Sequence, residues 1–502
     1  MFYEELMMDP QTLIKFKIFR RMLTLQNPSH PIAQLAKEME LSYQQAFIEL
    51  TEIDQDLTEL TPDHMSILGR GGKLQPQNIA VTIDEYRFYL LNKSVPFLYV
   101  LYMLNEDNPT ITDFCAKYDV SRSTVSRKFE HLKKHLKQFQ LRFTYTESNL
   151  VGDERLVRLS LFNIIWLGTR GIEWPFAIAE SEAEKVVDRF TEYFPMTHSY
   201  LLGRLELKYF AALILLRIKK ENFAKYDKRY NFLMKNNPYF DFERLMQVVD
   251  PEVSMTDKQL KGESGFIYLM AQIFPFYLSP EEEALQQTIH FFSNKQNPVY
   301  PLVADLLAEM KATFFASQPG LLDEPLVVGN LINVTFGNYV FRQPFPNIYR
   351  LLTPSINRGS AEEQLQQKID DFLTSYREES AVDYINDENQ EQMATMYTHA
   401  LLPFYDQIRY SNRLRVGVAL EDNFLVVQGL NQFLHDLTFV AAEPYDLNQQ
   451  ENYDVIVSSN QLMKKLKPEK MSYIWDYAAD DRQYIDLYRT LKNRFDEKNL
   501  SL

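Results

Sequence analysis

The chain has 502 residues, 45% of them apolar, and a formal net charge of −15. That length is too great for one core, so several domains of roughly 100–200 residues are expected, and the apolar content excludes a disordered chain. The single cysteine, Cys115, excludes an intramolecular disulfide and a cysteine-based zinc site.

Phe (35) and Tyr (30) are abundant while Gly (15) is scarce, which favours packed helices over sandwiches. The opening MFYEELMMD is acidic and lacks the long apolar run of a secretory leader. No window reaches the ~18 uninterrupted apolar residues of a membrane span. A soluble cytoplasmic protein without a membrane partner is therefore expected.

Residues 1–78 read as a helix-turn-helix domain. Thr12–Leu25 is an opening helix, Ile32–Met39 the first helix of the motif, Glu40-Leu41-Ser42 the turn and Tyr43–Leu57 the second helix. Phe47, Leu50, Ile53, Asp54 and Leu57 follow helical spacing. The turn-rich Leu68–Pro76 is expected to be its wing. The second helix carries Glu49, Glu52, Asp54 and Asp56, and its base-facing candidates are Ser42, Tyr43, Gln44 and Gln45. A packing or dimer-positioning role for this domain stays open beside DNA contact.

Residues 79–170 read as a second, winged helix-turn-helix. Phe88–Leu104 packs between the two motifs and supplies the first helix of the second one. Thr112–Tyr118 is a short helix capped by Thr110 or Thr112, with Phe114 and Cys115 inward. Asp119-Val120-Ser121 is the turn, and Ser121 caps a second helix. Val125, Phe129, Leu132 and Leu136 form one apolar stripe on it. The opposite face carries Arg122, Ser123, Thr124, Ser126, Arg127 and Lys128, the helix end that enters a major groove in proteins of this type.

Between Cys115 and Arg142 eight basic residues, Lys133 and Lys134 among them, face two acidic ones, a local net charge of +6 in an acidic chain. Such a patch is a located footprint for double-stranded DNA, with Arg suited to guanine and Ser or Thr to base edges or phosphates. A solvated helix of a plain bundle is the alternative. Gln140–Thr146 and Arg155–Leu159 are expected as two wing strands with Gly152 in their turn, placing Arg142 on backbone phosphates.

Two helical blocks follow, about 175–280 and 285–402. Their segments are Glu180–Phe194, Leu201–Lys219, Tyr230–Met234, Phe240–Val249, Gly265–Phe276, Pro280–Phe292, Leu302–Phe315, Leu326–Phe341 and Ala361–Tyr376. Residues 411–502 change character. Leu414–Leu420, Leu437–Ala441 and Tyr453–Ser458 read as buried strands, alternating with helices at Asn423–Leu434, Gln461–Leu466 and Arg482–Phe495. That alternation implies a small parallel α/β sheet. The fold class expected is mainly α and multidomain, with helix-turn-helix and winged-helix domains, two helical bundles and this α/β domain.

The sequence SRSTVSRKFEHL (121–132), together with LVGDERLVRLSLFNIIW (150–166), resembles the Mga/AtxA-type virulence regulators of Gram-positive bacteria. Gly152-Asp153-Glu154-Arg155 ahead of an apolar helix is characteristic of that group. The resemblance implies a DNA-binding transcription regulator, typically an activator, forming a homodimer through its C-terminal domain. It implies that the helical blocks are phosphotransferase-regulation domains and the last domain is similar to a phosphotransferase B component. Control by histidine phosphorylation from the phosphocarrier of the sugar phosphotransferase system follows, with His198, His399 and His290 as candidates in that order. A working B component uses a cysteine after its first strand; here that loop reads Glu421-Asp422-Asn423-Phe424. Phosphoryl transfer through a cysteine is thus excluded.

No catalytic residue set, metal site or cofactor is assigned, because the chain offers no paired carboxylates, Ser-His-Asp set, glycine-rich phosphate loop or metal-spaced histidine cluster. A phosphorelay adaptor and an RNA antiterminator-like regulator remain the alternatives to direct DNA reading.

Overall fold

The structure is a computed structural model that describes residues 3–499 except 26–28, 194–200, 235–246, 249–253, 274–276, 295, 349–350, 352–359, 381, 421–422, 460–470 and 478–479. The expected helix Gln461–Leu466, nearly all of Phe240–Val249, and His198 lie outside the described residues. The chain divides into two units, one made of residues 1–274 with 344–356 and the other of 275–343 with 357–502.

The first unit opens with helices α1 (Tyr3–Met7) and α2 (Pro10–Met22), the latter capped by Asp9, whose carboxylate accepts from the Thr12 amide at 3.0 Å. Helices α3 (Ile32–Glu38) and α4 (Tyr43–Leu60) make the first helix-turn-helix. Strands β1 (His30–Pro31), β2 (Leu68–Gly69) and β3 (Lys73–Leu74) form an antiparallel sheet in the order β1-β3-β2. The turn-rich segment is thus a wing, with an extra strand borrowed from the lead into α3. Phe47, placed in the apolar stripe by spacing, is 43% exposed, and Ala46 is buried beside Leu50, Ile53 and Leu57 instead.

Helices α5 (Ile83–Leu91) and α6 (Val95–Asn105) lead into α7 (Ile111–Lys117), α8 (Arg122–Lys128) and α9 (Glu130–Lys137). The second helix, expected as one run, breaks at Phe129, although the Phe129 amide still reaches the Val125 carbonyl at 3.0 Å. The apolar stripe survives the break because Val125, Phe129, Leu132 and Leu136 are all buried.

The wing differs from expectation. Its strands are β4 (Arg142–Thr144) and β5 (Asn149–Val151), and Arg155–Leu159 is no strand but the start of α10 (Glu154–Thr169). Asp153 caps that helix, and Arg155 and Arg158 are buried in ion pairs along with the apolar residues. The short apolar run between two arginines reads as a strand, but it opens a helix enclosed on all sides, with both arginines buried. Gly152 follows β5 at φ +155°, where an added Cβ would stand 2.4 Å from Leu141 Cδ2.

Helices α11 (Glu180–Tyr193), α12 (Leu201–Lys219), α13 (Asn231–Met234) and α14 (Asp257–Ile273) complete the described part of this unit.

The second unit contains α15 (Glu283–Asn294), α16 (Tyr300–Ala312), α17 (Pro325–Phe341), α18 (Ser360–Ser380) and α19 (Gln390–Ser411). Helix α19 is not among the segments expected from sequence; Pro403 stands inside it, where proline removes a backbone donor. Met393, Tyr397, Leu401 and Tyr405 nonetheless bury one face.

The unit closes with a four-stranded parallel sheet in the order β7-β6-β8-β9, from β6 (Leu414–Ala419), β7 (Val440–Pro444), β8 (Val455–Ser458) and β9 (Met471–Ile474). Strand β7 begins three residues later than expected, and β9 is a fourth strand where three are expected. Helices α20 (Phe424–Asp436) and α21 (Asp481–Lys498) cover a core of Leu414, Val416, Leu430, Leu434, Val455, Leu487, Leu491 and Phe495. No described helix is long and apolar enough to cross a membrane.

Candidate nucleic-acid interface

The second motif is assembled around one aromatic hub. Tyr99 of α6 meets Phe114, Phe129 and Phe143 edge-on at 4.9, 5.0 and 6.0 Å, so helix α7, the α8–α9 joint and strand β4 share a centre. Its hydroxyl donates to Ser148 Oγ at 2.8 Å at the hairpin turn, and burial pushes its pKa up to about 12. Thr110 caps α7, accepting from the Asp113 amide at 3.1 Å. Asp119 turns the chain in the left-handed region at φ +49°, and the Val120 amide closes on the Cys115 carbonyl at 3.1 Å.

Helix α8 then projects its polar face outward. Ser121, Arg122, Ser123, Ser126, Arg127, Lys134 and Arg142 are exposed; Thr124, Lys128 and Lys133 are half-buried. The structure therefore gathers these positions on one motif, but it divides them by what already occupies them. Ser121 accepts from the Thr124 amide at 3.1 Å, as a cap should, and its hydroxyl also meets Ser123 and Thr124. Arg122 donates to Thr112 Oγ1 at 2.6 Å. Lys128 sits 3.0 Å from Asp9. Burial pushes the Asp9 carboxyl up, yet the Thr12 amide and Lys128 more than offset it and hold it below its ordinary value. Lys133 reaches Ser126 and lies 5.4 Å from the Tyr145 ring centre. Arg127, Lys134 and Arg142 have no side-chain partner among the described residues. Exposed unpaired cations are the groups best able to meet phosphate.

In the first motif, Ser42 and Gln45 are committed to each other. Gln45 N donates to Ser42 Oγ at 3.2 Å and Ser42 N to Gln45 Oε1 at 3.1 Å, a reciprocal capping box. Tyr43 and Gln44 are exposed. Arg70 and Lys73, which are not among the candidates taken from sequence, flank the paired glycines of the wing and are both exposed; the run Arg-Gly-Gly-Lys is the signal that could have found them.

Beyond the DNA face, a buried ion-pair chain connects α10 to its neighbours. Arg158 and Glu263, both fully buried, pair at 2.7 and 2.9 Å, and Glu154 bridges Arg158 and Arg217 at 3.0 and 2.7 Å. Burial works against the Arg158 charge, but Glu263 and Glu154 more than offset it and hold its pKa above the ordinary value. Arg217 of α12 also donates to Asn149 Oδ1 of β5 at 2.7 Å.

Of the histidines, His399 on α19 places Nε2 3.4 Å from Glu362 Oε1 on α18, and His290 is exposed on α15. No group of metal-binding side chains occurs among the described residues.

Tandem helix-turn-helix units, each with a wing and one with a cationic outer face, place this chain among winged helix-turn-helix proteins. Residues 80–164 match the Mga helix-turn-helix domain, so the chain carries that domain. The chain is also a distant relative of the capsule synthesis positive regulator AcpA of Bacillus anthracis, 28% identical over 144 residues. The match takes in 28% of this chain and 27% of that protein, well under two thirds of its length.

Proposed function

We propose that this chain is a DNA-binding transcription regulator, an activator, that reads duplex DNA through α8 and the β4–β5 wing. The observation that carries this reading is the set of exposed, unpaired cations Arg127, Lys134 and Arg142 on a motif matching the Mga helix-turn-helix domain. Arg122 and Ser126 flank Arg127 on the same helix. The sense of control, activation, is taken from the relative described as a positive regulator.

A salt titration of binding to mixed duplex fragments tests it. Affinity falls steeply with salt, because each neutralised phosphate releases counterions. Arg122→Ala/Arg127→Ala flattens that slope and weakens specific binding by ~1–3 kcal/mol for each arginine that bonds a base edge through two donors. An unchanged slope removes α8 from the interface.

Regulation belongs to the same proposal. The helical blocks act as phosphotransferase-regulation domains, with homodimerisation through the C-terminal α/β domain. His399 is the site that the geometry favours, since a phosphate on its ring would face Glu362 and push α18 and α19 apart. His198, ranked first from the sequence, lies outside the described residues, and His290 is the third candidate. Incubation with the purified phosphocarrier should label wild type and not His399→Ala; equal labelling of both would move the site elsewhere.

A further inference from the structure

The two helix-turn-helix units share one template. Glu40 (φ +56°) and Asp119 (φ +49°) occupy equivalent left-handed turn positions. The next amide in each, Leu41 and Val120, closes on the carbonyl of Ala36 and Cys115, at 2.9 and 3.1 Å. Each turn ends on a capping serine, Ser42 or Ser121. Ala46, Leu50, Ile53 and Leu57 are buried where Val125, Phe129, Leu132 and Leu136 are buried. A constant offset of 79 positions maps one motif onto the other.

On that mapping the outward chemistry is inverted. Tyr43 stands where the second motif has Arg122, Phe47 where it has Ser126, and Ile48 where it has Arg127. All three are exposed, and the Tyr43 and Phe47 rings stack at 6.3 Å. Residues 43–60 contain no lysine or arginine. Most acids on α4 already have partners: Glu52 and Asp56 with Lys15, Asp54 with His64 and Ser66, and Glu59 with Lys93. The tip of α4 (residues 43–48) therefore carries no charge and presents Tyr43, Phe47 and Ile48 beside Gln44 and Gln45.

The wing stands beside this tip, since a Cβ on Gly72 would lie 3.1 Å from Tyr43 Oη. Arg70 and Lys73 on that wing are exposed and have no side-chain partner among the described residues. An uncharged helix tip with exposed apolar side chains, flanked by free cations, fits a polyanion with apolar groups on its groove floor. In duplex DNA those groups are the 5-methyls of thymine.

We infer that the first motif is a thymine-selective reading head: Tyr43, Phe47 and Ile48 contact thymine methyls in the major groove while Arg70 and Lys73 hold flanking phosphates. Gln44, also exposed, can bond the N6 and N7 edge of a partner adenine. The inference rests on the DNA-binding reading above and adds a base preference set by unlike chemistry in the two motifs.

The test uses the full chain and a duplex it selects from a random-sequence pool, compared with the same duplex in which every thymine is replaced by deoxyuridine. Wild type should lose about tenfold in affinity on removal of the methyls, the scale of one good interaction with a base. Phe47→Ser/Ile48→Arg, which installs the second motif's residues at exposed positions, should lose most of that sensitivity and acquire a steeper salt slope. Ile48→Arg alone should shift the same way, and matched melting temperatures check that both variants are folded. Arg122→Ala/Arg127→Ala should bind more weakly yet keep the methyl sensitivity.

Wild-type indifference to the methyls, or full sensitivity retained in Phe47→Ser/Ile48→Arg, overturns the inference and leaves the DNA-binding reading standing. The first of these results would turn the patch toward a protein partner. Failure of wild type to bind any duplex at low salt overturns both readings together.

Discussion

The two motifs differ most in how their wings are held. The first wing is latched from within: Asp54 on α4 accepts from His64 Nε2 and the Ile67 amide at 2.8 Å and from Ser66 Oγ at 2.7 Å. The second is held from within at its turn, by Tyr99 on Ser148, and also from outside, because Arg217 and Asn222, in and just after α12, grip Asn149 of β5. A self-latched wing keeps its shape whatever its neighbours do. A wing held by another helix transmits that helix's position, so the second motif is the one mechanically joined to the helical block.

The largest effect should come from breaking that junction. Glu263→Ala leaves Arg158 with an uncompensated buried charge and should cost ~3–5 kcal/mol. Urea unfolding of wild type and variant measures it; a loss below about 1 kcal/mol, the range of exposed pairs, would mean that the pair is solvated in solution. Glu263→Gln, which keeps the shape, should cost less.

Arg217→Ala sharpens the contrast between the wings. It strips Asn149 of a partner and should destabilise by ~1–3 kcal/mol, the cost of leaving buried polar groups unpaired. Amide exchange should quicken over Asn149–Val151 and stay unchanged over Lys73–Leu74. Equal acceleration in both wings would mean that α12 supports them alike.

The caps test the shared template. Ser42→Ala and Ser121→Ala each remove a side-chain acceptor from the first turn of a helix and should cost ~1 kcal/mol. Thermal melts that show a loss for only one of them would break the equivalence of the two turns.

The smallest effect concerns acid. Burial pushes the Asp54 carboxyl up, but hydrogen bonds from Ser66, His64 and the Ile67 amide more than offset it and hold it below its ordinary value. A depressed folded value means that the stabilisation is present above the unfolded aspartate range and is lost as pH falls through the folded value. Exchange of the Ile67 amide, read across an acid titration, should therefore rise at the low end before the second wing loosens. Asp54→Asn should remove that pH dependence.

Much of the framework was legible because it depends on short-range rules. Turn residues and apolar positions at helical spacing, with a capping serine in the second motif, located both helix-turn-helix units, and short buried-strand runs located three of the four C-terminal strands. What was not legible depended on partners far along the chain. RLVRL passes for a short strand until Glu263, 105 residues beyond Arg158, supplies a buried charge. Helix α19, with Pro403 inside it, was not expected, and it is held by the buried Met393, Tyr397, Leu401 and Tyr405. The site divides in the same way. Its cationic face could be read from residue types, but that Lys128 is tied to Asp9 and Arg122 to Thr112 could not.

Sequence by itself thus determined where the helices of the two motifs begin, where they turn and which face of the second motif is basic, since caps, turn residues and charge act over a few residues. Only the tertiary structure decided which of those basic groups are free, and which helix holds which wing. Side chains 68 residues apart, such as Asn149 and Arg217, meet only once the chain has packed, and pairing or desolvation at that point sets what each charge can still do.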